Sequence, residues 1–325
     1  MVATGKTALA TVIRELLQAH PPRAGSLAIT VFGDTVSQQG NSVWLGSLVD
    51  VMEEFGLNAR QIRTAVFRLG QEGWVLSTQS GRKSYYSYTE FGRRQYERAA
   101  ERIYAAGTRD WDGTWTLVTP AGLEAPQREE LRKQLGWQGF GLLTSGVLAH
   151  PRANRAALEE TLAALGFERD VVVWQAARAD GGPGTTLAGR VHECWQLDDL
   201  AARFAAFIDD FSPLLDMVSH ARTLSARDAF VLRTLLIHEY RRILLKTTDL
   251  PEDLLPPGWP GQDARRIAAE IYRRVHLDAV AYTPTAMRNA EGRLPAPAAG
   301  YFKRFGGLGP LSTTASAARG RSRTK

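Results

Sequence analysis

The sequence predicts an α+β protein whose periodicity changes twice along the chain. Apolar residues recur at helical spacing through residues 57–69, and a strand–turn–strand pattern follows directly. Short strand-like and helical segments alternate between Thr114 and Gln175, and from Leu197 onward the pattern is mainly helical. We therefore expect, in chain order, an N-terminal helical region with a hairpin, a central β-α-β-β-α-β domain and a C-terminal, mainly helical domain.

Length and composition set the expected organisation. The chain has 325 residues, which predicts two or three domains. We place domains at residues 21–107, 108–180 and 181–310, followed by a disordered basic tail at residues 311–325. The single cysteine, Cys194, excludes an internal disulfide framework and suits a reducing compartment. No apolar run approaches the ~20 residues of a membrane span. We therefore expect a cytoplasmic protein with no membrane partner.

Residues 57–69 have the pattern of a DNA recognition helix. Gly56 ends the preceding helix, predicted at residues 44–55, and Asn58 is a favourable N-cap. Ile62, Val66 and Leu69 form one apolar stripe. Arg and Gln are the side chains that read guanine and adenine in the major groove. We predict DNA contacts from Asn58 and from the polar residues off the stripe, which are Arg60, Gln61, Arg63, Thr64 and Arg68. The alternative is an ordinary solvated cationic face.

A cationic hairpin is predicted directly after this helix. Residues 74–77 and 84–88 alternate as strands, and residues 79–83 form a turn around Gly81. Arg82 and Lys83 lie at its tip, where we expect them to contact phosphates. Helices followed by a cationic hairpin are the order of a winged helix-turn-helix.

The basic residues are concentrated in two zones. Residues 57–98 hold eight Lys and Arg against three Glu, and residues 288–325 hold eight against one Glu. Because the whole chain has a net charge of only +6, the remainder is acidic. The first zone coincides with the predicted recognition helix and fits a surface that contacts phosphates.

Residues 114–175 predict a ferredoxin-like domain. A helix at residues 127–135 follows the first strand, and a helix at residues 154–165 precedes the last. This β-α-β-β-α-β order is the ferredoxin-like one. The four predicted strands are residues 114–119, 140–143, 147–150 and 171–175.

A polar cluster interrupts the most apolar predicted helix, residues 226–246. It contains His238, Glu239, Tyr240, Arg241 and Arg242, with apolar turns on both sides. Buried charges must be paired or bind a ligand. One interpretation is an internal ion-pair network. The other is an effector pocket in which His238 and Arg241 or Arg242 meet an anion, with Trp259 either as an aromatic wall or as a structural plug.

Motifs of catalysis are missing from the sequence. There is no G-x-S-x-G, no P-loop and no dinucleotide glycine fingerprint. His192, Glu193 and Cys194 provide too few ligands at usable spacing for a metal site. We therefore expect no catalytic residues, no metal and no cofactor.

Eight short motifs are distributed along the chain. They are Trp44-Leu45-Gly46-Ser47-Leu48, Phe55-Gly56-Leu57-Asn58, Arg63-Thr64-Ala65-Val66-Phe67-Arg68-Leu69, Glu72-Gly73-Trp74, Trp111-Asp112-Gly113-Thr114-Trp115, Leu236-Ile237-His238-Glu239-Tyr240-Arg241-Arg242, Leu254-Leu255-Pro256 and Trp259-Pro260-Gly261. Together these motifs resemble the PaaX-type repressors of phenylacetate degradation. The resemblance runs from about Pro21 to about Tyr282, and the motifs keep the order of that family.

The resemblance implies a homodimeric repressor that binds double-stranded operator DNA and is released by phenylacetyl-CoA. It also implies a central domain like the small CRISPR-associated ferredoxin-like ribonucleases. Those nucleases use an acidic residue near the end of the first strand, whereas residues 116–119 here contain none. We therefore expect the central domain to dimerise. The alternatives are a regulator of the same fold that senses another aromatic acid or thioester, and a nuclease built on the central domain.

Overall fold

Helices and three small sheets form the computed structural model, which describes residues 2–107, 110–177, 187–221, 223–245 and 250–309. The contacts divide the chain into two units. The predicted tail at residues 311–325 and the predicted boundary near residues 180–184 lie outside the described part. Among the described residues, no helix is both long and apolar enough to cross a membrane. Unit 1 comprises Met1–Tyr96, Asp216–Leu235 and Ala269–Lys325, and unit 2 comprises Glu97–Leu215 and Leu236–Ala268.

The N-terminal stretch confirms the predicted succession of helices and hairpin. Helix α4 (Ala59–Gln71) packs against α2 (Ala24–Asp34) and α3 (Leu45–Glu53). The apolar stripe of Ile62, Val66 and Leu69 on α4 is buried. The elements are α1 (Val2–Ala19), α2 (Ala24–Asp34), β1 (Val43–Trp44), α3 (Leu45–Glu53), α4 (Ala59–Gln71), β2 (Val75–Ser80), β3 (Lys83–Tyr88) and α5 (Glu90–Ile103).

Strands β1, β3 and β2 form an antiparallel sheet in that spatial order. The predicted turn at residues 79–83 is too long, because only Gly81 and Arg82 separate the paired residues Ser80 and Lys83. Gly81 has a φ of 60°, a left-handed conformation that allows so tight a turn. The sequence does not predict β1, which is only two residues long and depends on pairing with β3.

The central stretch confirms the predicted β-α-β-β-α-β order. In spatial order its sheet consists of β5 (Gly141–Thr144), β6 (Val147–His150), β4 (Thr114–Pro120) and β7 (Val171–Ala177). Every neighbouring pair is antiparallel, which is the ferredoxin-like topology. Val118 of β4 and Leu131 and Leu158 of the two helices lie in one buried core. The elements are β4 (Thr114–Pro120), α6 (Ala125–Trp137), β5 (Gly141–Thr144), β6 (Val147–His150), α7 (Arg155–Leu165) and β7 (Val171–Ala177).

The C-terminal stretch is mainly helical, as predicted. The helix that begins at Leu197 continues through Pro213 to His220, because Phe211, Leu214 and Val218 remain buried along one side. The structure also contains α8, which was not predicted. The elements are α8 (Leu187–Cys194), α9 (Leu197–His220), α10 (Ala226–Leu244), α11 (Gly261–Ala286), β8 (Arg288–Asn289), β9 (Gly292–Arg293) and 3-10 helices at Val36–Gln38, Glu252–Leu254 and Ala299–Gly306.

A buried ionic cluster joins distant segments of unit 1. The carboxylate of Asp34, at the end of α2, lies 2.9 Å from Arg233 Nε of α10 and 2.7 Å from Arg304 Nη1 of the last 3-10 helix. Tyr272 of α11 donates a 2.9 Å hydrogen bond to the same carboxylate. The sequence around Arg304 suggests that it belongs to a solvated basic zone. The structure shows instead that Arg304 is buried and paired with Asp34.

The ionic state of this cluster is strongly favoured. Burial lowers the pKa of Arg233, but the charge of Asp34 outweighs this effect and leaves the pKa above its ordinary value. Arg233 also donates hydrogen bonds to the Thr35 hydroxyl (2.7 Å) and the Tyr301 hydroxyl (3.1 Å). Arg304 Nη1 donates a 3.1 Å hydrogen bond to the backbone carbonyl of Asp34, so both guanidinium groups have charged and neutral acceptors, which is the condition for burying them.

We predict that Asp34→Asn strongly destabilises the protein. The substitution leaves two buried guanidinium groups without a counter-charge, and breaking a buried ion pair costs about 3–5 kcal/mol. Urea unfolding measures the change. Glu239→Gln is the control, because it breaks the pair of Glu239 with the exposed Arg242 and should cost about 1 kcal/mol or less. Equal unfolding midpoints for the two variants would contradict the prediction.

Candidate functional site

Helix α4 begins with a complete capping box. Gly56, with a φ of 79°, ends the preceding turn. The backbone N–H of Gln61 donates a 2.9 Å hydrogen bond to the side-chain oxygen Oδ1 of Asn58. The backbone N–H of Asn58 donates a 2.9 Å hydrogen bond to the side-chain oxygen Oε1 of Gln61. The predicted N-cap is confirmed. Gln61 Oε1 therefore accepts one hydrogen bond within the capping box, and its side chain is turned back toward Asn58.

The outer face of α4 is cationic and carries one large aromatic side chain. Arg60, Arg63, Thr64 and Arg68 are all exposed, as is Phe67. In the described parts of the chain, none of these three arginines has a carboxylate within 4 Å. On α5, by contrast, Arg93 pairs with Glu90 at 3.1 Å. Helix α4 therefore presents cations that are available to an external anion.

The hairpin places its two cations differently. Arg82 lies in the two-residue turn and is exposed. Lys83 is the first residue of β3, and its Nζ lies 4.6 Å from the centroid of the Trp44 ring. Such a cation–π contact restrains the lysine without neutralising its charge. The structure thus keeps both predicted wing cations on the outside of the sheet.

The α10 cluster separates into a buried and an exposed part. His238 and Arg241 are buried, whereas Arg242 is exposed and lies 2.9 Å from Glu239. Arg242 is thus the arginine that pairs with Glu239, and Arg241 is the one that lies in the interior.

His238 is held as a neutral imidazole. Burial, reinforced by the positive charges of Arg241 and Arg242, lowers its pKa to about 3. His238 Nε2 lies 3.9 Å from Glu239 Oε1, but this proximity is not an ion pair because the imidazole is uncharged near neutral pH. At physiological pH His238 can therefore act as a hydrogen-bond donor or acceptor, not as a cation.

Trp259 has the packing of a structural plug. Its ring makes an edge-to-face contact with Phe204 at 5.9 Å between centroids. A Cβ at Gly261 would lie 2.5 Å from the indole nitrogen, so only glycine fits beneath the ring. The Trp259 side chain remains half-buried.

Groups expected to be structural have structural partners. His192 Nε2 lies 2.9 Å from Asp198 Oδ2, and burial raises the pKa of the Cys194 thiol to about 11. In the part of the chain that the structure covers, no group of three or more His, Cys, Asp or Glu side chains could hold a metal ion. Strand β4 runs from Thr114 to Pro120, so residues 116–119 lie within it.

Sequence reasoning missed Phe67. Its signal was present, because residue 67 falls outside the stripe of Ile62, Val66 and Leu69. Apolar side chains are normally assigned to the core, and this assumption hides an aromatic residue on the outer face. The Asp34 cluster was also missed, because its members are far apart in sequence.

A helix pair with a cationic outer helix, a ferredoxin-like sheet and a helical stretch follow one another along this α+β chain. Each of these three stretches matches a known family description. Residues 23–92 match "PaaX-like protein", residues 108–188 match "PaaX protein central Cas2-like domain", and residues 195–284 match "PaaX-like protein C-terminal domain".

Comparison with individual proteins agrees with these matches. "Transcriptional repressor PaaX" of Escherichia coli (strain K12) is 39% identical over 301 residues, which cover 92% of this chain and 95% of that relative. The chain belongs to the PaaX family. Among solved structures, it is similar to "Uncharacterized protein Rv0674 from Mycobacterium tuberculosis", with a TM-score of 0.45, 21% identity and coverage of 84% of this chain and 98% of that one.

We predict that His238 makes the stability of the protein fall as the pH decreases. In the unfolded chain a histidine has a pKa near 6.5, so the unfolded state takes up the proton first. The contribution of neutral His238 to the free energy of unfolding is complete above about pH 6.5 and declines toward pH 3. Between about pH 6 and pH 4, His238→Gln should therefore reduce the slope of the free energy of unfolding against pH by about 1.4 kcal/mol per pH unit. Urea unfolding at each pH provides the measurement, with exposed His220→Gln as control; parallel profiles for wild type and His238→Gln would refute it.

Proposed function

We propose that this protein is a cytoplasmic transcriptional repressor that binds operator DNA and controls phenylacetate degradation. The observation that carries the proposal is the exposed face of α4, on which Arg60, Arg63 and Arg68 have no carboxylate partner among the described residues. Unpaired arginines on a well-formed outer helix are the chemistry that reads guanine and contacts phosphates. The repressor name of the Escherichia coli relative supports the same function.

In this proposal the N-terminal stretch is a winged helix-turn-helix. Helix α4 enters the major groove, and Arg60, Arg63 and Thr64 face base edges while Arg68 lies nearer the backbone. Asn58 and Gln61 fix the start of the helix, so that its N-terminus faces a phosphate. Arg82 and Lys83 on the hairpin contact phosphates, which adds affinity without sequence preference.

We propose that two copies assemble through the central sheet. Val171 and Val173 of β7 pack on the helical side of that sheet, so Val172 and Trp174 face the other side. Trp174 is 55% exposed. Aromatic residues are enriched in protein interfaces, and a second copy of the chain would cover this apolar face. A homodimer would present two recognition helices to a palindromic operator.

The proposed effector is an acyl-CoA, most simply phenylacetyl-CoA. The C-terminal helical stretch offers a buried arginine, Arg241, next to the neutral imidazole of His238. A buried guanidinium suits an anionic group, and the apolar side chains around it suit an acyl chain. Trp259 would border the site, and Arg242 would remain paired with Glu239. Release from DNA then requires that the ligand prefer a conformation with low DNA affinity.

We predict that Arg63→Ala costs about 1–3 kcal/mol of operator affinity and relaxes the requirement at one base pair. Arg82→Ala should instead weaken binding to all sequences alike and reduce the salt slope by about one unit.

Footprinting locates the operator, where two half-sites are expected. Fluorescence anisotropy at several salt concentrations then compares it with scrambled DNA. Arg93→Ala, which removes an arginine already paired with Glu90, is the control. Unchanged affinity of Arg63→Ala would remove it from the interface.

We predict that Arg241→Ala leaves operator binding within about twofold of wild type and abolishes release by the effector. The exposed Arg242→Ala is the matched control and should respond normally. Thermal-shift measurements against a panel of acyl-CoA thioesters identify the ligand, and calorimetry of both variants gives the affinity. If Arg241→Ala binds the identified thioester as tightly as wild type, the α10 cluster has only a structural role.

A further inference from the structure

Phe67 occupies an unusual place for an aromatic side chain. It is 63% exposed, although it lies in a helix whose other large apolar side chains are buried. With about 100° between successive residues, Phe67 lies between Arg60 and Arg63 around the helix, within about 40° of each. A lone exposed apolar residue is ordinary on a protein surface, but this one lies at the centre of a cationic face.

The surrounding charges restrict what can cover the ring. Arg60, Arg63 and Arg68 border it and make no ion pair with the described residues of the chain. An apolar protein surface would bury these cations without counter-charges, which is costly. A polyanion satisfies them. Nucleic acid is therefore the partner whose chemistry fits the face as a whole.

The major groove offers one apolar group to such a ring. That group is the C5-methyl of thymine, while the other groove edges of the bases are hydrogen-bond donors and acceptors. Phe67 has no polar atom in its side chain and so can distinguish bases only through this methyl. Its exposed ring loses contact with water when it meets the methyl, which is favourable.

We propose that Phe67 contacts the C5-methyl of a thymine in each operator half-site and makes the protein select thymine there. This inference rests on the proposed DNA-binding function and adds a base-selecting residue to it. Arg63 and Phe67 are one helical turn apart, about 6 Å along the axis. Since base pairs are stacked at about 3.4 Å, the selected thymine lies within about two base pairs of the base that Arg63 contacts.

Replacement of thymine by uracil tests the contact, because it removes only the methyl. Each thymine of the footprinted operator is replaced in turn, and the affinity is measured by fluorescence anisotropy. We expect about a fourfold loss at one thymine of each half-site, the effect of one buried methyl. Phe67→Ala should bind the operator with thymine or with uracil at that position with equal affinity. At every other thymine, replacement by uracil should change its affinity as much as it changes that of wild type.

Two further variants complete the design. Phe67→Leu keeps an apolar side chain and should retain part of the uracil effect. Leu277→Ala removes another exposed apolar side chain, on α11, and should keep the wild-type uracil profile. Because Phe67 is exposed, its replacement by alanine should leave the folded state and the sedimentation mass unchanged.

Several outcomes overturn the inference. Specific operator binding without a uracil effect at any thymine removes the methyl contact while leaving the proposed repressor intact. A uracil effect that persists in Phe67→Ala assigns the methyl contact to another residue. A changed sedimentation mass of Phe67→Ala places the ring in a protein interface. Failure of the wild type to bind any DNA specifically overturns both this inference and the proposed function.

Discussion

The buried carboxylate of Asp34 is the constraint on which unit 1 depends. One carboxylate serves two guanidinium groups, Arg233 and Arg304, that lie far from it in sequence. None of the three charges is stable in the interior without the others, so the segments that carry them must meet. Asp34 ends α2, and α2 supports α4. The position of the proposed recognition helix therefore depends on residues near the C-terminal end of the described chain.

Helix α10 contributes residues to the Asp34 cluster and to the cluster around His238 and Arg241. Arg233 lies in the Asp34 cluster, and Arg241 follows eight residues later, about 12 Å along the helix axis. Both arginines are buried, and Arg233 pairs with the carboxylate of Asp34. Apolar residues surround both clusters, which explains why the pattern of this helix is hydrophobic on more than one side.

Local patterns of the sequence predicted the elements that local forces decide. The start of α4 follows from Gly56 and Asn58, and the ferredoxin-like order follows from alternating periodicity. Features set by distant contacts could not be read in the same way. Arg304 has the local surroundings of a basic tail, and only the position of Asp34 shows that it is buried. Pro213 indicates a helix end, yet burial of the residues around it keeps α9 continuous.

The capping box of α4 also bears on how fast and at what entropic cost the protein can meet a partner. Asn58 and Gln61 close the first turn within the chain itself, so the helix does not need a ligand to form. A surface that is ordered in advance loses little backbone freedom on association. For this helix, encounter with a partner is therefore limited by diffusion and orientation, not by folding.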